Sequence, residues 1–173
     1  MNLVLKATQF AALKHRDQKR KDGKTPYIIH PISVAMILTE IGGVDDPEIL
    51  SAALLHDTIE DTDTSAQELD KEFGSRIRII VEELTDNNQL TISQRKQLQI
   101  DNAPHLSKNA TLIKIADKIS NVSDVIKTPP LKWDQKRCNE YVYWAKAVIN
   151  NCQKVNQDLE NHFFGLLTDY RKS

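Results

Sequence analysis

Long hydrophobic runs are absent from this sequence. No segment approaches 18 consecutive apolar residues, which is about the shortest length for a membrane-spanning helix candidate. The first residues, MNLVLKATQF, also lack the basic start and apolar stretch of a secretory signal. We therefore expect a cytoplasmic protein with no membrane partner.

Cysteine and excess positive charge are lacking as well. The two cysteines, Cys138 and Cys152, are too few and too widely spaced for a disulfide framework or a zinc ribbon. The chain has 23 basic and 24 acidic side chains, for a net charge of −1. Because no global positive field favours polyanions, we expect no nucleic-acid partner.

Glycine is scarce, with five residues, and no two segments have the pattern of a β-hairpin. Apolar residues recur at helical spacing almost everywhere. The length of 173 residues is enough to bury one substantial core. We predict an all-α fold in which residues 1–173 form a single domain with roughly eight or more helices.

Start and stop signals suggest where these helices lie. Pro31 is predicted to occupy the first position of one helix, and Asp46 to cap the next, which continues to Glu60. Ser65–Glu68 has the spacing of a capping box. Segment 86–93 is predicted to be a loop, and the later helices to cover 94–102, 109–126 and 134–168.

The segment AALLHDTIEDTDT combines an apolar helix with a cluster of ionisable groups. His56, Asp57, Glu60 and Asp61 fall within six positions, and carboxylates this close repel one another unless a cation lies between them. A divalent metal would supply that cation. The alternative is a core histidine with satisfied hydrogen bonds, followed by acids on a solvated helix end.

Two further residues occupy places where a core would favour other side chains. His30 precedes a proline, and we expect it to be extended at a helix start with its ring free. Asp117 lies in the apolar stretch TLIKIADKISNV. Two histidines and two aspartates would form a nitrogen and oxygen site that suits Mn²⁺, Mg²⁺ or Fe²⁺ better than structural Zn²⁺.

These residues resemble a known family. His30, His56–Asp57 and Asp117 match the H…HD…D metal pattern of the HD phosphohydrolase superfamily. The motifs RKDGKTPYIIHP, AALLHDTIEDTDT and IKIADKISNV are similar to those of the hydrolase domain in Rel/Spo alarmone enzymes. Residues 7–167 resemble the small stand-alone alarmone hydrolases.

The resemblance implies an enzyme, a Mn²⁺-dependent (p)ppGpp 3′-pyrophosphohydrolase that releases pyrophosphate and GDP or GTP from a small-molecule nucleotide substrate. The implied residues are His30, His56, Asp57 and Asp117 for one Mn²⁺ ion, Glu60 and Asp61 for catalysis, and Arg20, Lys21, Tyr27, Asn121 and Tyr141 for substrate binding. Trp133 and Trp144 match further aromatic positions. The oligomeric state is left open.

The sequence departs from the family pattern in a few places. ADKISNVSD stands where the family often has ADKLYNLRD, so Ser120 lies at the tyrosine position and Ser123 at the position of a basic residue. Ile92 occupies a position where the small alarmone hydrolases of animals have lysine. Fewer pocket cations would weaken the binding of 5′-phosphates or shift substrate preference. Tyr143 and Trp144 lie in a helix, where aromatic residues usually belong to the core.

Other functions remain open at this point. One is a phosphatase for NADPH or another nucleotide with a ribose 2′- or 3′-phosphate. A second is a non-catalytic HD module that binds a nucleotide or a partner protein, although such a module does not require Glu60 and Asp61. A third is a helical scaffold with acids on its surface and a solvated basic turn at KRKDGK.

Overall fold

The structure is a computed structural model that describes residues 2–172. Within that range it contains ten α-helices, one 3-10 helix and no β-strand, which confirms the predicted all-α class. The α-helices are α1 (Leu3–Lys14), α2 (Ile29–Glu40), α3 (Pro47–Leu55), α4 (Thr58–Asp61), α5 (Ala66–Phe73), α6 (Ser75–Leu84), α7 (Ile92–Asn102), α8 (Lys108–Lys127), α9 (Gln135–Asn151) and α10 (Gln157–Lys172), and the 3-10 helix is Ala103–His105. None of these helices is long and apolar enough to cross a bilayer.

Helix α8 lies at the centre of the fold. It packs against α2, α6, α9 and α10, so side chains on almost every face of its middle turns are buried. Apolar residues such as Ile113 and Ile115 account for much of this packing, but Lys114, Asp117 and Lys118 are buried as well. The central helix therefore carries three ionisable groups into the interior.

The helix that was predicted to continue to Glu60 ends at Leu55 instead. His56 Nδ1 lies 2.7 Å from the carbonyl oxygen of Ala53, and Thr58 Oγ1 donates to that of Leu55 at 2.7 Å. Because these side chains bond the last carbonyls of α3, they compete with continuation of the helix. The break turns the His-Asp pair towards the interior.

The expectation that His30 is extended before a helix-starting proline is wrong. Helix α2 begins at Ile29, so Pro31 occupies its third position and His30 is helical and buried. The first N–H groups of a helix have no partner within it, and a proline therefore forfeits no helical hydrogen bond there. His30 is held by α2 itself.

The helix predicted over 134–168 is also divided, into α9 and α10. Asn156 starts the second helix, because its Oδ1 accepts a hydrogen bond from the N–H of Leu159 at 3.0 Å. Its Nδ2 donates to the carbonyl of Gly42 at 2.8 Å. This side chain both caps α10 and ties it to the end of α2.

The predicted capping box at Ser65 is only half formed. Ser65 Oγ accepts the N–H of Glu68 at 3.1 Å, but the Glu68 carboxylate pairs with Lys14 at 3.2 Å. The complete box is formed by Thr91 and Gln94. It starts α7 inside the segment that was predicted to be a loop.

Candidate active site

A cleft of about 840 Å³ is lined by the segment before α2, the junction of α3 and α4, and parts of α7, α8 and α9. Every residue that the sequence predicted for metal binding, catalysis or substrate binding lines this cleft. The fold thus brings together groups that are far apart in the chain, from Arg20 to Tyr141.

Two histidines and two aspartates converge at one point of the cleft. Nε2 of His30 lies 3.1 Å from Asp117 Oδ1 and 3.6 Å from Asp57 Oδ2. Nε2 of His56 lies 3.2 Å from Asp57 Oδ2 and 3.7 Å from Asp117 Oδ1. These groups are contributed by α2, by the junction of α3 and α4, and by α8.

The far nitrogen of each imidazole determines what its Nε2 can do. Nδ1 of His56 faces the carbonyl oxygen of Ala53, which can only accept, so Nδ1 carries the proton in the neutral ring. Nδ1 of His30 lies 3.1 Å from Ser120 Oγ. When Nδ1 is the donor, each ring can direct its Nε2 lone pair at a cation held between the carboxylates, which is the arrangement of metal-binding histidines.

The local charges also fit a cation. Burial lowers the pKa of His56, but Asp57 and Asp117 outweigh this effect and raise it to about 9, so the two carboxylates favour positive charge between them. Nε2 of His56 is buried, and although it lies 3.2 Å from Asp57 Oδ2, it forms no well-oriented hydrogen bond with any described residue. One ligand atom each from His30, His56 and Asp117 lies within 4.8 Å of the others. This set, with Asp57 beside it, can hold a divalent metal ion.

Glu60 and Asp61 lie next to this point, on α4. Oε2 of Glu60 accepts the N–H of Asp86 at 2.9 Å, and its Oε1 is 3.7 Å from Nη1 of Arg95. Burial raises the pKa of Glu60 to about 7, with Asp86 and Asp57 adding to the rise and the Asp86 N–H opposing it. A carboxyl group that titrates near neutral pH can exchange a proton during catalysis.

The hydroxyl of Tyr27 lies between the carboxylates of Asp57 and Asp61. It is 2.7 Å from Asp57 Oδ2 and 3.2 Å from Asp61 Oδ2. Burial and both carboxylates raise the pKa of Tyr27, so the hydroxyl keeps its proton and acts as a donor. The tyrosine was predicted to bind substrate, and its hydroxyl also orients the carboxylates of Asp57 and Asp61.

Arg20 and Asn121 lie on another wall of the cleft. Nη2 of Arg20 donates to Asn121 Oδ1 at 2.8 Å and to Asp124 Oδ2 at 2.7 Å, and Asn121 Nδ2 donates to Asp117 Oδ1 at 2.6 Å. A side cavity of about 130 Å³ opens here, and Arg20, Lys21, Asn121 and Tyr141 contribute to its wall. This chain of hydrogen bonds links the side cavity to the metal-binding carboxylate.

An aromatic row runs along α9 and the segment that precedes it. The ring centres of Trp133 and Tyr141 are 5.4 Å apart, and those of Tyr141 and Trp144 are 5.3 Å apart. Lys21 Nζ lies 4.9 Å from the Trp133 ring centre. Trp144 was expected to belong to the core, and it packs against the core with one part of its surface while it also lines the cleft. The same expectation is wrong for Tyr143, which is 60% exposed.

Several basic residues of the cleft were not singled out from the sequence. They are Arg95, Lys96, Lys114, Lys118, Lys132, Lys136 and Arg137. Lys114 and Lys118 carry the signal that identified Asp117, namely a charge in an apolar stretch, but lysines in a helix are usually solvated. Their burial becomes evident only once the neighbours of α8 are known.

Comparisons with known proteins agree with this geometry. The HD domain family matches residues 7–144. A guanosine-3′,5′-bis(diphosphate) 3′-pyrophosphohydrolase of Xenopus tropicalis is 47% identical over 94% of this chain and 93% of its own length, and that of Homo sapiens is 49% identical over 91% and 88%. A solved structure, described as a metazoan ortholog of SpoT that hydrolyses ppGpp, superposes with a TM-score of 0.95 at 40% identity, over 98% of this chain and 96% of that one. The chain therefore belongs to the HD domain family, in the branch that contains the guanosine-3′,5′-bis(diphosphate) 3′-pyrophosphohydrolases.

Proposed function

We propose that the protein is a (p)ppGpp 3′-pyrophosphohydrolase that releases pyrophosphate and leaves GDP or GTP. The observation that carries this proposal is the convergence of His30, His56, Asp57 and Asp117 at one point of a cleft rich in basic residues. Relatives that share nearly the whole length of the chain are named for this reaction.

The proposed cofactor is one Mn²⁺ ion held by these four residues. Two imidazole nitrogens and carboxylate oxygens form a donor set that suits Mn²⁺, whereas a structural zinc site is usually rich in cysteine. When bound, the ion supplies Lewis-acid activation of water and neutralises charge on phosphoryl oxygens. Asn121 and Tyr27 orient the two aspartates through the hydrogen bonds described above.

Glu60 and Asp61 are the proposed catalytic pair. Water attacks the phosphorus attached to the ribose 3′-oxygen, the bond between that oxygen and phosphorus breaks, and the oxygen leaves with a proton. Because the pKa of Glu60 is about 7, its carboxylate can accept the proton of the attacking water at neutral pH. Asp61, held by Tyr27, lies beside it to orient the water or return the proton.

The proposed nucleotide contacts are Arg20, Lys21, Tyr27, Asn121 and Tyr141. Arg20 can stack on a base or grip a phosphate, and its bonds to Asn121 and Asp124 fix its guanidinium beside the side cavity. Lys21 adds a cation that has aromatic rings for neighbours. We further propose a cytoplasmic location and one catalytic domain, since the substrate is a soluble nucleotide and all these groups line one cleft.

A comparison of substrates tests the proposal. We expect kcat/KM for ppGpp to exceed that for NADPH in the same Mn²⁺ buffer, with pyrophosphate as the product of ppGpp. The pyrophosphate assay should be matched by a phosphate assay, because a nucleotide phosphatase would release orthophosphate instead. A higher kcat/KM for NADPH, or no pyrophosphate from ppGpp, would refute the alarmone assignment.

A further inference from the structure

We propose that Lys114 and Lys118 form an anion subsite for the outer phosphoryl group of the substrate's 3′-diphosphate, through which the enzyme selects a 3′-diphosphate over a 3′-monophosphate. This inference rests on the proposed function and specifies its substrate class. The two residues are called the lysine pair below.

Lys114 is a buried lysine that forms no close ion pair with the described part of the protein. It is only 7% exposed, yet it lines the cleft. Among the residues that the structure describes, none forms a hydrogen bond with the ammonium group of Lys114 or an ion pair with it within 4.0 Å. Lysine is almost never buried this deeply unless it is paired, because an unpaired buried charge is strongly unfavourable. A ligand anion would provide the missing partner.

Lys118 brings a second positive charge to the same face of α8. It is 3% exposed, and its Nζ lies 3.0 Å from Asp117 Oδ2 and 4.6 Å from the ring centre of Trp144. An ammonium group has three donors, and the bond to Asp117 uses one of them. Residues four apart on a helix are neighbours, and like charges at that spacing repel. An anion between the two would remove the repulsion.

The position of the lysine pair fits an outer phosphoryl group. Burial and Lys118 lower the pKa of Lys114, whereas Asp117, Asp86 and Glu60 lie near enough for their charges to raise it. All five residues line the cleft. The reacting phosphorus must lie near Asp117 and Glu60, because the proposed metal ligand and the proposed base both act on it. The second phosphorus of a diphosphate is one bridging oxygen further on, which places its oxygens within reach of the lysine pair.

The electrostatics of the protein alone support a ligand at this place. Burial lowers the pKa of Lys114, and the charge of Lys118 lowers it further. A phosphoryl anion would offset both effects, since a nearby opposite charge favours the ionised form. A 3′-monophosphate has no second phosphoryl group to do so.

The test compares two substrates that differ only at the 3′-position. These are guanosine 5′-diphosphate 3′-diphosphate and guanosine 5′-diphosphate 3′-monophosphate. In Lys114→Met we expect kcat/KM for the 3′-diphosphate to fall by about 10–100-fold, the usual effect of losing a hydrogen bond to a charged group, and that for the 3′-monophosphate to change by less than about threefold. Lys127→Met, which removes an exposed lysine of the same helix, should match the wild type.

Binding of inorganic pyrophosphate gives a second readout that does not depend on turnover. In Mn²⁺ buffer, calorimetry should show that Lys114→Met weakens pyrophosphate binding about 10–100-fold and leaves orthophosphate binding unchanged. Lys114→Gln should behave in the same way and replaces the methionine variant if that one does not fold. If both substrates, or both anions, lose affinity equally, or neither does, the lysine pair is not the subsite. Absence of wild-type ppGpp hydrolysis would refute the proposed function instead, and pyrophosphate binding would still decide the role of the lysine pair.

Discussion

Glu60 shows how a single side chain can favour activity at the expense of stability. Its pKa of about 7 in the folded protein lies above the ordinary value of 4.5. The stability that goes with the protonated form is therefore fully present below pH 4.5 and is lost as the pH rises through about 7. At neutral pH the fold carries a partly ionised, largely buried carboxyl group.

We expect Glu60→Gln to separate these two effects. The glutamine cannot ionise, so the metal-chelated variant should be more stable than the chelated wild type at pH 8, by on the order of 1–3 kcal/mol, and equally stable near pH 4.5. Its kcat should fall by about 10²–10⁴-fold. Urea unfolding across this pH range measures the first effect, with the exposed Glu40→Gln as control. Parallel pH profiles for variant and wild type would contradict the argument.

Ser120 is the residue through which this chain orients His30. Its Oγ lies 3.1 Å from Nδ1 of His30. Loss of the hydrogen-bond partner of a metal-binding histidine typically weakens metal binding by about 10–100-fold. We expect Ser120→Ala to weaken Mn²⁺ binding by that factor and Ser120→Thr to retain it. Calorimetric titration with Mn²⁺ measures the change.

Ser33→Ala is the matched control for Ser120, because Ser33 lines the same side cavity but bonds the carbonyl of Ile29. Nitrogen NMR of the histidine rings adds a readout that a general loosening of the fold would not reproduce, since only His30 should change its tautomer. Equal Mn²⁺ affinity in wild type and Ser120→Ala would contradict the role of the hydroxyl.

The sequence identified the acids and histidines of the cleft better than its lysines. His56 and Asp117 are conspicuous because they interrupt apolar stretches, and carboxylates placed together require an explanation. Lys114 interrupts the same stretch as Asp117, but a lysine has a long, flexible stem that normally reaches solvent. Only the packing of α8 against its neighbours removes that outlet, and packing is not visible in a local pattern.

Among the helices, α3 shows that a capping signal in the sequence can correctly predict where a helix begins. Asp46 was expected to cap this helix, and its Oδ1 accepts the N–H of Glu48 at 2.9 Å. Its Oδ2 also lies 2.8 Å from Nη2 of Arg76, a contact with α6 that the sequence did not indicate. The cap depends on neighbouring residues, whereas the ion pair depends on the tertiary fold.

We expect Asp46→Ala to lower stability without altering catalysis. Loss of an N-terminal cap typically removes about 1 kcal/mol, which for a chain of this length lowers Tm by about 2–4 °C. Asp45→Ala, which removes the exposed neighbouring acid, is the control. Thermal melts together with kcat/KM measure both quantities, and an equal loss in the control would show that the cap is not the cause.

Helix ends were harder to predict than helix starts. The break after Leu55 arises from His56 and Thr58, whose side chains bond carbonyls that a longer helix would need. The break between α9 and α10 depends on Asn156 reaching Gly42, far away in the chain. Neither residue type enforces a stop by itself, so periodicity alone predicted longer helices in both places.

For the molecule as a whole, the candidate metal site acts as a connection between distant segments. His30, His56–Asp57 and Asp117 belong to separate parts of the fold, and a metal ion that binds them stabilises only the folded state. The gain is RT ln(1 + [L]/Kd), or about 2.7 kcal/mol when the free metal is a hundredfold above Kd.

We therefore expect chelation to lower Tm and added Mn²⁺ to restore it. Thermal melts with a chelator, followed by a titration with Mn²⁺, measure the shift. His30→Ala should respond to neither treatment, because it removes one of the proposed ligands. An unchanged Tm after metal removal has been verified by elemental analysis would contradict a stabilising metal.

The hydrogen-bond partners that orient His56 and His30 differ in how easily a mutation can change them. The partner of His56 Nδ1 is the main-chain carbonyl of Ala53, which no point mutation removes. The partner of His30 Nδ1 is the Ser120 hydroxyl, which a single codon change can delete, lengthen or replace. Inherited variation in the orientation of this metal site should therefore accumulate on the His30 side, with position 120 as the most accessible point of change.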